Sequence, residues 1–431
     1  MLGPYNPSAQ HDQRFTSGSL ADPPTTRGRM ARMVLPIPDP ATVGRRRPRN
    51  RKQQILAAAA RQFWEVGYHQ VGMADLAAAV GIGASAMYRH FRGKQDLLVA
   101  VMHEALDRLD EATTGPVDLD RTIAGTAALA LERREFGALW DREAGHLPDQ
   151  DRDALRDRLR MILSHATEVI AAATGAPHDE ARTRAHALYA VLESPSHHRV
   201  DLDGLRFEDL LERAARAVVD VALPVTGPAR HAAPGRAPQL PASRREALLA
   251  AAIRLFGERG FPSVSMNDLG TATGIAGPSV YNHFENKNDL LVAALTRGNE
   301  ALWLSLHHAL AAADGPADAL DRALDSYVTF ATANPAIISV LLAEVINLPT
   351  RQRDAYRRVQ QDYVAEWVAL LSRSRPEIGE TEARVLVHAA LTVANSLARA
   401  RHLQQRPALT AEIAALGRAV LRAPLATRSG G

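Results

Sequence analysis

From Met73 to Leu98 the chain reads Met73-Ala-Asp75-Leu76-Ala77-Ala-Ala-Val80-Gly81-Ile82-Gly83-Ala-Ser85-Ala86-Met-Tyr88-Arg89-His90-Phe91-Arg-Gly-Lys94-Gln-Asp96-Leu97-Leu98. The segment up to Val80 reads as a short helix, Gly81-Ile82-Gly83 as a tight turn, and the residues beyond as a further helix. Two short helices joined by a three- or four-residue turn containing Gly form a helix-turn-helix. The glycine permits positive φ, and Ile82 plugs the angle between the helices. Upstream, Ile55, Leu56, Ala59 and Phe63 recur at the spacing of one helical face, and Gly67 follows as a helix-terminating residue with a left-handed backbone.

The same text occurs again. Sliding the chain by 193 positions aligns Arg51–Ala100 with Arg244–Ala293, with 25 identities in 50 ungapped positions. Leu249, Phe256, Gly260, Asp268, Gly274, Tyr281, Phe284, Lys287 and Asp289 are among the repeated residues. Ser265-Met-Asn-Asp268 is a capping-box pattern where the first copy has the weaker cap Gly72. Pro278 suits the first turn of the third helix. The similarity continues weakly: Glu143 and Leu147-Pro148 align with Glu344 and Leu348-Pro349, and His186-Ala187 with His388-Ala389. Two copies of about 190 residues are a duplication, not a solenoid.

These residues fix the fold class as all-α. The expected division is a disordered extension over 1–44, a first helix-turn-helix domain over 45–102 and a first helical domain over 103–222. A Pro-rich linker over 223–242 leads to a second helix-turn-helix domain over 243–296, a second helical domain over 297–425 and a tail over 426–431. The linker carries Pro224, Pro228, Pro234, Pro238 and Pro241, a composition that extends the chain.

A recognition helix reads base edges through its N-terminal side chains while flanking groups hold phosphate. The first copy offers Ser85, Ala86 and Arg89 to bases, with Tyr88, His90 and Lys94 alongside. The second offers Pro278, Ser279 and Asn282, with Ser265, Tyr281, His283 and Lys287 alongside.

Both blocks resemble the DNA-binding domain of TetR-family regulators. The residues that carry the resemblance are Phe63, Gly67, Met73-x-Asp75-Leu76-Ala77, Gly81-Ile82-Gly83, Tyr88-x-His90-Phe91-x-x-Lys94 and Asp96-Leu97-Leu98, and their counterparts from Phe256 to Leu291. The resemblance implies that Tyr88, Tyr281, Lys94 and Lys287 contact phosphates and that Ser85, Ala86, Arg89, Pro278, Ser279 and Asn282 lie against bases. It also implies an effector pocket in each C-terminal half and dimerisation through the last two helices, here about 181–192 with 208–222 and 380–400 with 411–421. Leu139-Trp140-Asp141-Arg142-Glu143-Ala144 and Gly274–Pro278 are similar to stretches of the smaller group of tandem TetR regulators in actinobacteria, lipid-gene repression among their roles, which tilts the expected effector toward lipid or sterol-like molecules. The sequence departs from the pattern at Gly72, which lacks a hydroxyl, and at Gly270, where a helix-favouring Ala is usual; a helix-interior Gly costs up to ~1 kcal/mol.

Charge separates the copies. Arg45 to Ala100 holds ten Lys/Arg against three Asp/Glu, whereas Arg244 to Ala293 holds five of each. The first excess is concentrated in Arg45, Arg46, Arg47, Arg49, Arg51 and Lys52, a basic arm suited to tracking the backbone or entering the minor groove. The alternative for such a run is a solvated, disordered segment.

Other functions have less under them. The chain has no Cys, which removes disulfides, thiolate zinc sites and Cys nucleophiles. Gly81-Ile-Gly83-Ala-Ser-Ala86 fits a dinucleotide fingerprint, but no strand precedes it. The 16 His lack i, i+4 partners, and no nucleophile elbow stands out. No enzyme activity, metal or cofactor is expected. The apolar stretch Pro335–Ala343 stops at Glu344, short of the ~18 residues a span needs, and no signal peptide precedes the first copy, so the expected location is the cytoplasm, at the nucleoid. Trp140, Tyr189, Tyr327, Phe330 and Trp367 are expected as core or as effector contacts. The expected partners are double-stranded operator DNA and a small effector. The first reading is a repressor, released by that effector, that reads an asymmetric operator as a single-chain pseudo-dimer; the alternative is a ligand-independent or partner-responsive DNA-binding regulator, an activator included, that assembles between chains.

Overall fold

The computed structural model describes residues 51–113, 118–224 and 241–425, and among them every regular element is helical. The first unit consists of α1 (Arg51–Glu65), α2 (Met73–Ala79), α3 (Ala84–Met87), α4 (Lys94–Thr113), α5 (Leu119–Glu132), α6 (Phe136–Glu143), α7 (Asp149–Thr174), α8 (His178–Glu193) and α9 (Gly204–Asp220). The second repeats the order with α10 (Arg244–Arg259), α11 (Met266–Thr273), α12 (Gly277–Val280), α13 (Lys287–Ala311), α14 (Pro316–Ala333), α15 (Pro335–Ala343), α16 (Thr350–Ser374), α17 (Glu380–Arg399) and α18 (Leu409–Leu421). The basic arm Arg45, Arg46, Arg47 and Arg49, the N-terminal extension and most of the Pro-rich linker lie outside the described residues.

The helices form where the apolar period predicts them. α1 buries Ile55, Leu56, Ala59, Ala60 and Phe63, and α10 buries Leu248, Leu249, Ala252, Leu255 and Phe256 on the same face. Each ends at a glycine with positive φ, 103° at Gly67 and 81° at Gly260, a backbone that L side chains rarely adopt.

The two units join through their last helices. α8 packs on α17 and α9 on α18, while α8 with α9 and α17 with α18 pack within each unit. Most of this four-helix face is apolar: Ala185, Leu188, Val191 and Leu192 of α8 and Leu386, Val387, Ala390 and Ala394 of α17 are all buried. One hydrophobic core consequently runs without a break from α5, α8 and α9 through the whole second unit, whereas α1 to α4, with Leu139, Leu155 and Ile162, have a core of their own. At roughly 25 cal/mol per Å² of apolar surface, a continuous core of this kind ties the units into one folded body. Arg206 of α9 pairs with Glu382 of α17 at its edge.

Gly270 corrects a sequence expectation. Its place in the middle of α11 reads as a loss of helix propensity, but a Cβ there would stand 2.6 Å from the Ile275 carbonyl oxygen and 3.2 Å from Val280 Cγ2. The bare backbone is what lets the turn and α12 close onto α11.

Candidate nucleic-acid interface

Each head is built from one local design. In the first, Gly72 has an extended backbone and its N–H donates to Asp75 Oδ2 at 2.9 Å, which is half a capping box. In the second, the Ser265 N–H donates to Asp268 Oδ2 at 2.8 Å and the Asp268 N–H donates to Ser265 Oγ at 3.1 Å, completing it. The turns follow with φ of 66° at Gly81 and 68° at Gly274. Past them, the Ile82 N–H donates to the Ala77 carbonyl at 3.0 Å and the Ile275 N–H to the Gly270 carbonyl at 2.9 Å. Met87 and Val280, both at 0% exposure, anchor the one-turn helices α3 and α12 to their heads.

With those anchors inside, the opposite side faces water. Ser85, Arg89 and His90 are exposed and Ala86 half-buried; Pro278 and Asn282 are exposed, with Ser279 and His283 half-buried. Tyr88 and Tyr281 project into solvent beside them, 56% and 54% exposed. On the second head, Ser265, Met266, Tyr281, Asn286 and Lys287 border a shallow depression of about 430 Å³ at the start of α11.

Lys94 and Lys287 depart from expectation. Lys94 Nζ donates to the carbonyls of Tyr68 at 2.7 Å and Val71 at 3.1 Å, and sits 4.4 Å above the Tyr68 ring. Lys287 Nζ donates to the carbonyls of Phe261 and Val264, both at 2.8 Å, and sits 4.3 Å above the Phe261 ring. These ammonium groups close the loop before α2 and α11 instead of standing free for a phosphate. Partial burial lowers the pKa of both.

The heads are braced where the units meet. The buried Glu143 accepts from the Tyr68 N–H at 3.4 Å, and its repeat counterpart Glu344 accepts from Asn347 Nδ2 at 2.7 Å. Both line one crevice between the loops that follow α1 and α10. Burial, and then for Glu344 the nearby Glu143 charge, raise these carboxyls, Glu344 to about 7.

A larger chamber of about 900 Å³ lies between the units. Of the five aromatic effector candidates only Tyr327 lines it, its Oη donating to Asn395 Oδ1 at 2.8 Å. Trp367 is wholly buried beside Tyr327, with ring centroids 5.9 Å apart. Phe330 packs on the main core, Trp140 on the core of the first head, and Tyr189 on both. Sequence reasoning missed the polar wall, which includes Asp141, Arg142, Arg199, Arg357 and Arg399. It comes from both units, and periodicity within one helix carries no trace of that.

The family description for bacterial regulatory proteins of the tetR family matches residues 55–101 and again residues 248–294. The HTH-type transcriptional activator FasR of Mycolicibacterium smegmatis is 39% identical over 67 residues, 15% of this chain and 31% of that protein. The HTH-type transcriptional repressor KstR2 of the same organism is 36% identical over 58 residues, 14% of this chain and 28% of that protein. These matches span about a third of the relatives' own length. Among solved structures, the TetR family regulator PfmR of Thermus thermophilus aligns with 42% of this chain and 97% of its own, at 23% identity and a TM-score of 0.37.

Proposed function

Because the chain belongs to the tetR family of bacterial regulatory proteins and carries that family's N-terminal domain twice, we propose that it is a DNA-binding transcriptional repressor that reads an asymmetric operator as a single-chain pseudo-dimer. The observation that carries this reading is the pairing of one backbone design with two different exposed surfaces. Ser85, Ala86 and Arg89 occupy the places that Pro278, Ser279 and Asn282 occupy in the second head, and both heads hang from one four-helix face inside a single chain. A homodimer presents two identical heads and matches a palindrome; unlike heads favour unlike half-sites.

In this mechanism the two heads enter successive major-groove segments, with Tyr88 and Tyr281 against the backbone. The arm from Arg45 to Arg49 supplies sequence-independent affinity. A small effector in the chamber between the units favours a head arrangement that no longer fits B-DNA. Such release is allosteric only through a difference in effector affinity between the two arrangements.

Native mass spectrometry of the chain with the DNA upstream of its own gene tests the reading. One chain per duplex is the expected complex. Two chains per duplex would favour assembly between chains, and no complex at low salt would remove the DNA-binding reading. Transcription from that DNA, expected to fall on adding the chain, decides repression against activation.

A further inference from the structure

The chamber between the units has an unbalanced wall. Arg142 of α6, Arg199 of the loop after α8 and Arg357 of α16 converge on it from three separate elements. None of the three has a carboxylate within salt-bridge distance among the described residues, although most other Arg near the units' surfaces do. Arg142 is held by the backbone, its Nη2 donating to the Trp64 carbonyl at 3.0 Å, and Arg199 lies 5.1 Å from the Trp64 ring. Burial lowers the pKa of Arg142 and Arg357; the charges of Arg357 and Arg199 add to this at Arg142 against those of Glu143 and Asp141, and Arg353 and Arg199 add to it at Arg357 against Asp354. The carboxylates on the same wall are Glu65 and Asp141, and Asp141 is committed to Arg399. Guanidiniums without a carboxylate partner that share one partly buried wall repel one another, a cost that a bound anion would offset.

The rest of the wall is of a different kind. Leu302, Ile338, Leu341, Val364 and Leu391 form an apolar surface. Three buried polar atoms on the wall, Ser196 Oγ, His198 Nε2 and Tyr356 Oη, have no hydrogen-bond partner among the described residues, although such atoms are nearly always paired. About 900 Å³ lies within the range of small-molecule sites.

We infer that the chamber takes one amphipathic anion per chain, its acidic head at Arg142, Arg199 and Arg357 and its apolar body against Leu302, Ile338, Leu341 and Leu391. This rests on the reading of the chain as an effector-responsive regulator and gives that effector a chemical class. The shared chemistry is a carboxylate or a phosphate on a hydrocarbon body. The ligand spans both units, because Arg142 and Arg199 belong to one and Arg357 and the apolar wall to the other. It therefore acts on the arrangement of the units directly.

The test is calorimetric titration of the full chain with three probes of one chain length: decanoate, decyl phosphate and 1-decanol. At least one acid-headed probe should bind one per chain, roughly tenfold or more tighter than decanol, a difference of about 1.4 kcal/mol. The better of the two acids tells carboxylate from phosphate. Arg199→Gln and Arg357→Gln change exposed side chains, so both variants should keep the thermal midpoint and lose roughly tenfold in acid affinity, with decanol unaffected. Equal binding of decanol and the acids, unchanged acid affinity in both variants, or no binding of any probe would overturn the inference. DNA binding by the same preparation is measured without probe. A chain that binds DNA but no acid sinks the ligand assignment and leaves the regulator reading. A chain that binds acid one to one but no DNA does the reverse.

Discussion

Arg399 near the end of α17 and Asp141 on α6 form a two-point ion pair across the boundary between the units, with Nη2 2.8 Å from Oδ2 and Nη1 3.3 Å from Oδ1. The residues are 258 positions apart in the chain. Their side chains are about one-fifth exposed, and both border the chamber that the first unit shares with the second. The planar fork gives the contact an orientation as well as an energy. Opposing charge keeps Asp141 below the usual carboxylate range against the effect of burial, which acts the other way.

Removing one end of this pair should loosen the boundary more than either head. Asp141→Asn leaves the Arg399 guanidinium without its charge partner, and for a pair this exposed the expected loss is about 1–3 kcal/mol, below the 3–5 of a fully buried pair. Glu193 limits the damage. Burial, followed by the Asp141 charge, pushes that carboxyl up, while Arg399 draws it down; without Asp141 it ionises more readily and takes over part of the role. Chemical denaturation of Asp141→Asn, Glu193→Gln and the double variant checks this. The double variant should lose more than the two singles together, and plain additivity would reject the substitution of one carboxylate for the other.

A second prediction concerns pH. His186 of α8 lies 4.6 Å, ring to ring, from His402, and His388 of α17 lies 4.5 Å from His198. These are counterpart pairs, since each joins a His on the central helix of one unit to a His just beyond that helix in the other. Burial first, then positive neighbours, depress them: His186 to about 3 beside His402 and Arg182, His388 to about 3 beside Arg384 and His197, and His198 to about 2 beside His388, Arg134 and His197. In the unfolded chain they titrate near 6.5. Folded pKa values below unfolded ones mean that the unfolded state binds more protons at acid pH. Stability from these groups is then complete above about 6.5 and declines as pH falls toward 3. The denaturant midpoint should drop between pH 6.5 and 4.5, and a double His186→Gln, His388→Gln variant should show a shallower drop. An identical pH slope in that variant would refute the assignment.

The sequence made the two heads legible because their information is local. A glycine after α1, a capping residue, a turn glycine with Ile82 or Ile275 behind it, and the buried Phe91 or Phe284 are all set within about 50 contiguous residues. The last helices of each unit are legible to within a few residues, since their apolar period is strong. The chamber was not legible. Its charged wall joins Arg142 and Asp141 to Arg357 and Arg399, and only the packing of α8 on α17 and α6 on α15 brings them together. The scattered His look partnerless in the sequence for the same reason: His186 and His388 have no His at helical spacing, and their partners lie in the other unit. The alignment of Glu143 with Glu344 and of His186 with His388 is the signal the sequence offers: Glu143 and Glu344 share one crevice, and His186 and His388 each pack against a His of the other unit.

Gly270 gives a stability test that opposes propensity. Gly270→Ala raises intrinsic helix preference by up to ~1 kcal/mol, but its Cβ would meet the Ile275 carbonyl at 2.6 Å, and backbone oxygen cannot rotate away. Net destabilisation of about 1–3 kcal/mol is expected, within the usual range for overpacking. Thermal unfolding decides: a raised midpoint would show that the turn relaxes and that propensity governs.

The lysines and the arginine of the first head separate positioning from reading. Lys94→Met removes the donor to the Tyr68 and Val71 carbonyls, so it should destabilise the first head by about 1–3 kcal/mol. Below its unfolding temperature it should change the salt slope of DNA binding by less than the ~0.9 that one lost phosphate contact produces. Arg89→Ala, on an exposed side chain with no carboxylate partner among the described residues, should leave stability alone and cost about 1–3 kcal/mol on the preferred DNA. Its distinguishing mark is where specificity is lost. Asn282 stands at the equivalent place in the second head, so selection from a random duplex pool should show relaxation in one half-site and an unchanged second half-site. Equal relaxation in both half-sites would mean that the chain reads DNA as two copies, each placing its first head, and the single-chain pseudo-dimer would have to be given up.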